Sequence, residues 1–404
     1  MAELLSPAGN LEKLKVAFAY GADAAYMGLD RFSLRANADN FSDGDLEAVK
    51  ALNATTGKRL YCALNILFHE GQMEDLKAAL PRLKAWPFDA FIISDLGCVN
   101  VLRKAFGDGV ELHLSTQASC TNSESAKLYH SLGFRRVILG RETPLSDIRK
   151  IKDAVPDLQL EVFVHGAMCM AYSGRCLLSS ALAGRSSNQG DCTHTCRWNY
   201  ALTEEKRPGE YYPIEEHDGY STILSSKDLC MIDHLDELLD AGVDSMKIEG
   251  RMKSGYYVGL VTRAYRKALD KDPDWREYRK GLFEFSHREY CTGFFYGSGP
   301  LSAITEEGYQ RDWVFLGYLK EEIKPSVWSL DLRNQIKKGQ TIQYVSPESP
   351  NIPDDSYTLL DSSFHFVDQI DHGKVQYLQT DKPVRAGSIL RRRAVSHEEQ
   401  LGSN

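Results

Sequence analysis

Short apolar runs alternate with helical segments over the first 250 residues or so of the chain. Each run ends in small or polar residues, and a stretch with apolar positions at helical spacing follows it. This pattern predicts βα units, and eight of them fit a parallel (β/α)8 TIM-like barrel. A ninth run, Thr222–Ser226, also has the character of a strand, so the pattern allows nine strands as well as eight. The eight runs are Glu3–Ser6, Ala24–Gly28, Leu60–Asn65, Ala90–Asp95, Glu111–Ser115, Arg136–Gly140, Leu160–His165 and Ser245–Gly250.

The regular pattern is interrupted once and then replaced. Residues 166–219 hold cysteines, glycines and polar turns, and they predict an insertion after the seventh strand, at the end where such barrels keep their chemistry. Residues 271–312 form an aromatic-rich connector. From residue 313 to 404, short alternating runs are separated by turns such as KKGQ and DHGK, which predicts a small antiparallel β-barrel. We therefore expect a barrel domain over 1–270, the connector, and a second domain over 313–404.

Composition excludes some classes of protein. Apolar residues make up 43% and charged residues 26% of the 404-residue chain, which is typical of a soluble globular protein. No run of apolar residues is long enough to span a membrane, and MAELLSPAGN lacks the features of a signal peptide, so we expect a cytoplasmic protein. The net charge of −8 argues against bulk attraction to nucleic acid, but it permits a local basic patch that binds RNA.

Four of the nine cysteines lie close together in the insertion, with the spacing C-x6-C-x15-C-x3-C. In a reducing compartment such a cluster indicates metal binding or redox chemistry rather than disulfides. Thiolates suit iron–sulfur clusters, zinc or copper(I). Structural zinc sites usually contain C-x2-C pairs, which are absent here, so the spacing favours an iron–sulfur cluster. A zinc site and four unliganded cysteines remain as alternatives.

Several motifs of the barrel region resemble those of peptidase family U32. They are the run from Glu161 through Cys169 to Ser179, the segment NQGDCTHTCRW, Ser226–Cys230 and Lys247–Arg251. The resemblance extends from Leu4 to about Leu269, and it is strongest to the branch of the family that modifies tRNA. It implies prephenate-dependent hydroxylation of the tRNA wobble uridine to 5-hydroxyuridine, with tRNA as partner and a small dicarboxylate as co-substrate.

The resemblance also implies a 4Fe–4S cluster on cysteines of the insertion. We assign the ligands to Cys169, Cys176, Cys192 and Cys196. Cys230 is the alternative fourth ligand, because it follows Ser226–Asp228 at the end of a predicted strand. Cys196 is preferred since it shares a short loop with Cys192.

Other candidate residues stand at the ends of predicted strands, where side chains point into a barrel mouth. Catalytic candidates are His113, His165 and Glu249, although His165 could equally be a hydrogen-bonded structural histidine. A dicarboxylate needs cationic partners, ideally arginine. The first candidates for binding the substrate are Arg141 and Arg251, followed by Lys247 and Lys227. Gln117 is a further candidate, because it is predicted to lie on the same side of its segment as His113. Arg197, beside Trp198, is the candidate for contact with RNA. The charged residues could instead have a structural role, in ion pairs that connect the loops at the barrel rim.

Two other functions compete with a cluster-bearing tRNA hydroxylase. The first is the hydrolase that the family name implies, but the chain lacks an H-E-x-x-H motif and a G-x-S-x-G elbow. The second is a zinc-stapled RNA-binding protein without catalysis. The basic run Arg391–Arg393 suits tRNA docking, although a solvated tail is the commoner explanation of such a run.

Overall fold

The structure is a computed structural model that describes residues 2–34, 39–169, 171–198, 201–203, 211–213, 226–297 and 313–394. The chain divides into two compact units. The first comprises residues 1–18, 22–258 and 288–308, and the second comprises residues 19–21, 259–287 and 309–404. In the described part of the chain, no helix is both long and apolar enough to cross a bilayer.

The first unit contains a closed barrel of eight parallel strands. Neighbours in sequence are neighbours in the barrel, and the last strand pairs with both the first and the seventh. This confirms the predicted (β/α)8 TIM-like fold, and every predicted run coincides with a strand. The strands are β1 (Glu3–Ala8), β2 (Ala24–Met27), β3 (Arg59–Leu64), β4 (Ala90–Ile93), β5 (Glu111–Leu114), β6 (Arg136–Ile138), β7 (Gln159–Ala167) and β8 (Ser245–Ile248).

Helices follow the strands, as expected for βα units. Several end at a glycine with a left-handed backbone, as the helix Leu46–Thr56 does at Gly57, where φ is 62°. The α-helices are Leu11–Ala19, Leu46–Thr56, Glu70–Ala85, Gly97–Phe106, Ser123–Ser131, Leu145–Ala154, Leu178–Ala183, Leu235–Asp240, Gly255–Leu269 and Trp275–Lys280. Short 3-10 turns are Asp43–Asp45, Thr116–Ala118, Ser187–Gln189, Thr195–Arg197, Ile232–His234 and Gly281–Phe283.

The region between β7 and β8 does not add a ninth parallel strand in the described residues. Most of the predicted run Thr222–Ser226 lies outside the described residues. The next strand, Asp228–Cys230, runs antiparallel to β7 and places Cys230 opposite His165. Tyr290–Cys291 then pairs with that strand, and a separate hairpin is formed by Ala201–Thr203 and Tyr211–Pro213.

The second unit is built on a curled, seven-stranded antiparallel sheet, which confirms the antiparallel β fold predicted for the C-terminal residues. Its core contains Leu316, Tyr344, Leu378 and Leu390, all with no exposed surface. A further pair of strands is Ile336–Lys337 and Gln369–Ile370. In sheet order the seven strands are Ile352–Asp354, Ile342–Val345, Ile389–Arg393, Trp313–Lys324, Val327–Leu332, Tyr377–Gln379 and Thr358–Leu360.

The interior of the barrel holds a cluster of compensated charges instead of a wholly apolar core. Glu161 has no exposed surface, and it accepts hydrogen bonds from Lys247 Nζ at 2.8 Å and from Arg136 Nη1 at 3.0 Å. Arg136 also donates to Glu3 at 2.5 Å, and the Ser245 hydroxyl donates to both carboxylates. Burial raises the pKa of Glu161, but the charges of Lys247 and Arg136 outweigh it and lower that pKa to about 2.

His113 lies beside this cluster and has no exposed surface. Its Nε2 is 3.0 Å from Glu111 Oε2, and its ring meets that of Tyr61 edge to face at a centroid distance of 4.8 Å. Burial penalises the charged imidazolium and lowers the pKa of His113 to about 4. The side chain is therefore a neutral component of the barrel wall at neutral pH.

The buried imidazole of His113 makes stability depend on pH. The unfolded chain binds this proton near pH 6.5, whereas the folded chain binds it only near pH 4. Between these values the unfolded state holds more protons, so we expect the free energy of unfolding to fall as pH decreases from 6.5 to 4. Urea titrations at a series of pH values measure this slope, which should be shallower in His113→Gln.

The control is His372→Gln, which removes an exposed imidazole from the second unit. Its slope should match that of the wild type. Equal slopes in the wild type, His113→Gln and His372→Gln would contradict the assignment of this pH dependence to His113.

Candidate functional site

A cavity of about 280 Å³ lies at the carboxyl ends of the barrel strands. Its wall is formed by residues of the barrel strands, by residues of the loops that follow several of those strands, and by the insertion. The carboxyl end of a β/α barrel is where catalytic groups are found. Of the residues predicted for the site, Gln117, Arg141, Lys247, Glu249, Arg251, Cys169, Cys176, Cys192 and Cys196 all line this cavity.

Two cations at the base of the cavity are held against aromatic rings. The Arg141 guanidinium lies 4.0 Å from the centroid of Phe163, and its Nη2 is 3.5 Å from Glu249 Oε2. Lys247 Nζ lies 4.4 Å from the ring of Tyr26 and 5.5 Å from that of Phe163. Cation–π contact of this kind stabilises a positive charge without neutralising it. The base of the cavity therefore holds two cationic groups on aromatic rings, each also paired with a carboxylate: Arg141 with Glu249, and Lys247 with Glu161.

Arg251 contributes a third cation, and neutral groups hold it. Its side chain is buried, and Nη2 donates to Ser33 Oγ at 3.1 Å and to Asn40 Oδ1. A Cβ on residue 28 would lie 2.3 Å from that nitrogen, so a larger residue there would displace the guanidinium. Neither of these two acceptors carries a charge, so neither of them neutralises the guanidinium, and Arg251 lines the cavity.

The four clustered cysteines are free thiols that face the same cavity. Cys169 is exposed, and Cys176, Cys192 and Cys196 are half-buried. The Cys192 sulfur lies 3.8 Å from Ser179 Oγ. In the described residues, no group of three or more His, Cys, Asp or Glu side chains is positioned to hold a single metal ion.

The loop between Cys169 and Cys176 is fixed to the barrel at Ser173 and Gly174. Ser173 N donates to Glu142 Oε1 at 2.8 Å, and Ser173 Oγ accepts from Arg141 N at 3.3 Å. Gly174 has a φ of 75°, and a Cβ there would lie 2.0 Å from the Gln117 carbonyl oxygen. The backbone can approach this closely only at glycine. The sequence motif contains Gly174, but nothing in it identified Glu142 and Ser173 as anchors.

A second anchor joins the insertion to the loop after β3. Leu67 N donates to the Asn188 carbonyl at 3.3 Å, and Gln189 Nε2 donates to the Leu67 carbonyl at 2.5 Å. Gln72 Nε2 also donates to Gln189 Oε1 at 2.9 Å. The segment between Cys176 and Cys192 is thus tied across the barrel mouth, which keeps both sulfurs on the cavity wall.

Other predicted residues lie elsewhere. His113 is in the barrel interior, and His165 is buried against the rings of Tyr290 and Tyr257, at centroid distances of 5.3 and 6.0 Å. Lys227 pairs with Glu289 at 2.6 Å. None of these three, nor Cys230, is among the described residues that line the cavity. Arg197 belongs to the turn Thr195–Arg197, but its side chain lies outside the described part of the structure.

Comparison with known proteins identifies the family. The model of peptidase family U32 matches residues 9–303. A Bacillus subtilis protein named tRNA hydroxylation protein P1 is 34% identical, with 96% of this chain and 94% of that protein covered. An Escherichia coli 23S rRNA 5-hydroxycytidine synthase is 38% identical over 66% of this chain and 39% of its own length. A Porphyromonas gingivalis protein named collagenase is 31% identical over 85% of this chain and 80% of its own length. The chain belongs to peptidase family U32.

Proposed function

We propose that this chain is an RNA-modifying enzyme that hydroxylates the wobble uridine of tRNA to 5-hydroxyuridine, with prephenate as co-substrate and a 4Fe–4S cluster as cofactor. Relatives named for tRNA hydroxylation and for synthesis of 5-hydroxycytidine in rRNA support hydroxylation of an RNA nucleotide. The observation that carries the proposal is one cavity in which four thiols and the cations Arg141, Lys247 and Arg251 meet.

The chemistry of the donor groups favours a cluster over a single ion. A tetrahedral zinc ion lies about 2.3 Å from each sulfur, which requires sulfurs about 4 Å apart. The four cysteines lack the C-x2-C pairs usual in structural zinc sites, whereas a cluster is ligated through separate irons. Cys169, Cys176, Cys192 and Cys196 would hold it, and when bound it would supply one-electron chemistry next to the substrate.

The three cations suit a small dicarboxylate. One carboxylate can bind to Arg251, which lines the cavity and is oriented by its hydrogen bonds to Ser33 and Asn40. The other can bind to Arg141 and Lys247, and the Arg141–Glu249 contact of 3.5 Å is long enough to yield to it. Glu249 would then be a carboxylate on the cavity wall that can accept a proton from a substrate.

The size of the cavity limits how RNA can enter. A volume of about 280 Å³ is at the lower end for small-molecule sites and admits no base pair, so the target base must leave its stack. Trp198, with 48% of its surface exposed, follows the last cysteine of the cluster and can stack on a neighbouring base. We assign RNA contact to Arg197 beside it.

Peptide hydrolysis is the second candidate, because one relative is named collagenase. It would require an activated nucleophile or a metal-bound water. Incubation of the purified protein with gelatin tests it. Cleavage that persists in cysteine variants without iron would favour the hydrolase over the hydroxylase.

Single Cys→Ala variants test the cluster. We expect Cys169→Ala, Cys176→Ala and Cys192→Ala to lose most of their iron and sulfide after anaerobic purification, because each removes a ligand. Cys98→Ala is the control, since Cys98 is buried in the helix Gly97–Phe106 and does not line the cavity. Wild-type iron in all of these variants would contradict the cluster.

The same measurement decides the fourth ligand. Loss of iron in Cys196→Ala with retention in Cys230→Ala is the expected result. The reverse pattern would assign Cys230 instead.

Mass spectrometry of tRNA nucleosides tests the reaction. Cells that lack this protein and any redundant pathway should lose 5-hydroxyuridine, and the wild-type gene should restore it. Arg141→Gln and Arg251→Gln should lower the rate at limiting co-substrate by about 10–100-fold, the cost of a lost charged hydrogen bond. Arg185→Gln, a charge change in the insertion outside the described cavity lining, should have little effect. An unchanged 5-hydroxyuridine pool in the deletion strain would exclude the proposed function.

A further inference from the structure

The basic run near the C-terminus is part of the second unit's sheet and not a tail. Arg391–Arg393 ends the strand Ile389–Arg393. Arg391 has no exposed surface, and its guanidinium donates to Glu284 at 2.6 Å and to Gln343 at 2.7 Å. The charge of Arg391 is therefore neutralised within the second unit. Arg392 and Arg393 differ from it in their exposure and in their partners.

Arg392 and Arg393 flank a groove of about 470 Å³ on the same sheet. The wall of the groove also includes Trp313, Gln340, Gln343 and Pro353. The buried Arg391 guanidinium lies 4.0 Å from the centroid of the Trp313 ring, and Arg393 lies 5.7 Å from it. Arg391 thus fixes the orientation of the ring, which is only half-buried.

Arg392 and Arg393 differ from other arginines of the second unit in whether a carboxylate lies close to them. Arg391, Arg385 and Arg333 each have a carboxylate within 3.1 Å. Over residues 313–394 and the other described segments, no carboxylate lies within 4.0 Å of Arg392 or Arg393. The contact recorded for Arg392 is with the carbonyl oxygen of Arg393, at 3.1 Å. The groove therefore carries two positive charges that an anionic ligand can neutralise.

We propose that this groove is a docking site for RNA, separate from the barrel cavity. Backbone phosphates would bind Arg392 and Arg393, and a base of an unpaired segment would stack on Trp313. A ring next to guanidinium groups, with the amides of Gln340 and Gln343 nearby, fits a nucleotide better than an acidic peptide, which offers no flat ring. The inference rests on the proposed function, because it assumes that RNA is the substrate.

The test measures binding of the full chain to fluorescently labelled bulk tRNA at several salt concentrations. Each phosphate contact contributes about 0.7–0.9 to the slope of log K against log salt. We expect the double variant Arg392→Gln/Arg393→Gln to lose about 1.4–1.8 of that slope. We expect Trp313→Leu to weaken binding by about tenfold or more with an unchanged slope, since it removes stacking without removing charge. Hydrogen exchange of the strand Ile342–Val345 verifies that each variant is folded.

The control is Lys338→Gln/Lys374→Gln, which removes two charges from exposed side chains of the second unit that do not line the groove. Its slope should stay at the wild-type value. An equal loss of slope in both double variants would show a general charge effect and overturn the proposal. Competition by poly-glutamate as effective as that by unlabelled tRNA would assign the groove to acidic peptides and overturn it as well.

The outcomes also separate this inference from the proposed function. If the wild type and the groove variants bind tRNA equally and all restore 5-hydroxyuridine in cells, the docking site is wrong and the function stands. If the wild type binds no tRNA and its deletion leaves 5-hydroxyuridine unchanged, both are wrong.

Discussion

The fully buried carboxylate of Glu161 is the constraint on which the barrel and its cavity depend. A buried charge without partners costs several kcal/mol, so Glu161 is tolerable only while Lys247 and Arg136 hold it. Those contacts join β6, β7 and β8, and the second contact of Arg136, to Glu3, adds β1. The ion cluster thus links the strands on either side of the closing seam. The contact with Glu161 also fixes the position of the Lys247 side chain, which lines the cavity.

The insertion carries the thiols, but the barrel determines where they point. Ser173 and Gly174 fix one end to the loops after β5 and β6, and Gln189 fixes the middle to the loop after β3. Cys176 lies between these anchors, and all four cysteines line the same cavity as the cations. The cofactor and the co-substrate that we propose would both bind at this one cavity.

The sequence predicted the barrel well, because strands buried on both faces give short apolar runs that are easy to recognise. The sequence was less informative about how deep in the barrel each side chain lies. His113 and Gln117 were predicted to share a side of one extended segment, but the strand ends at Leu114 and Gln117 belongs to the 3-10 turn Thr116–Ala118. His113 therefore lies in the barrel interior and Gln117 at the cavity. His165 was placed in the mouth because it follows an apolar run. The strand Asp228–Cys230 pairs with β7 and places Cys230 opposite His165, and the sequence pattern near Ser226 did not predict its antiparallel direction.

Long-range pairing explains the other differences. Arg391–Arg393 looked like a solvated tail because its partners, Glu284 and Gln343, are far away in the chain. The anchors Glu142 and Ser173 were missed for the same reason. Motif spacing did identify the four cysteines that line the cavity together, since residues of one insertion are close in sequence.

The most direct test of the barrel cavity as the reaction site is photo-crosslinking with tRNA that carries 4-thiouridine at the wobble position. Irradiation of the complex and mass spectrometry of the peptides locate the protein groups next to that base. Crosslinks to the segments around Tyr172 or Met252, both on the cavity wall, are the predicted result. Crosslinks confined to residues 313–394, with none in the barrel unit, would contradict it.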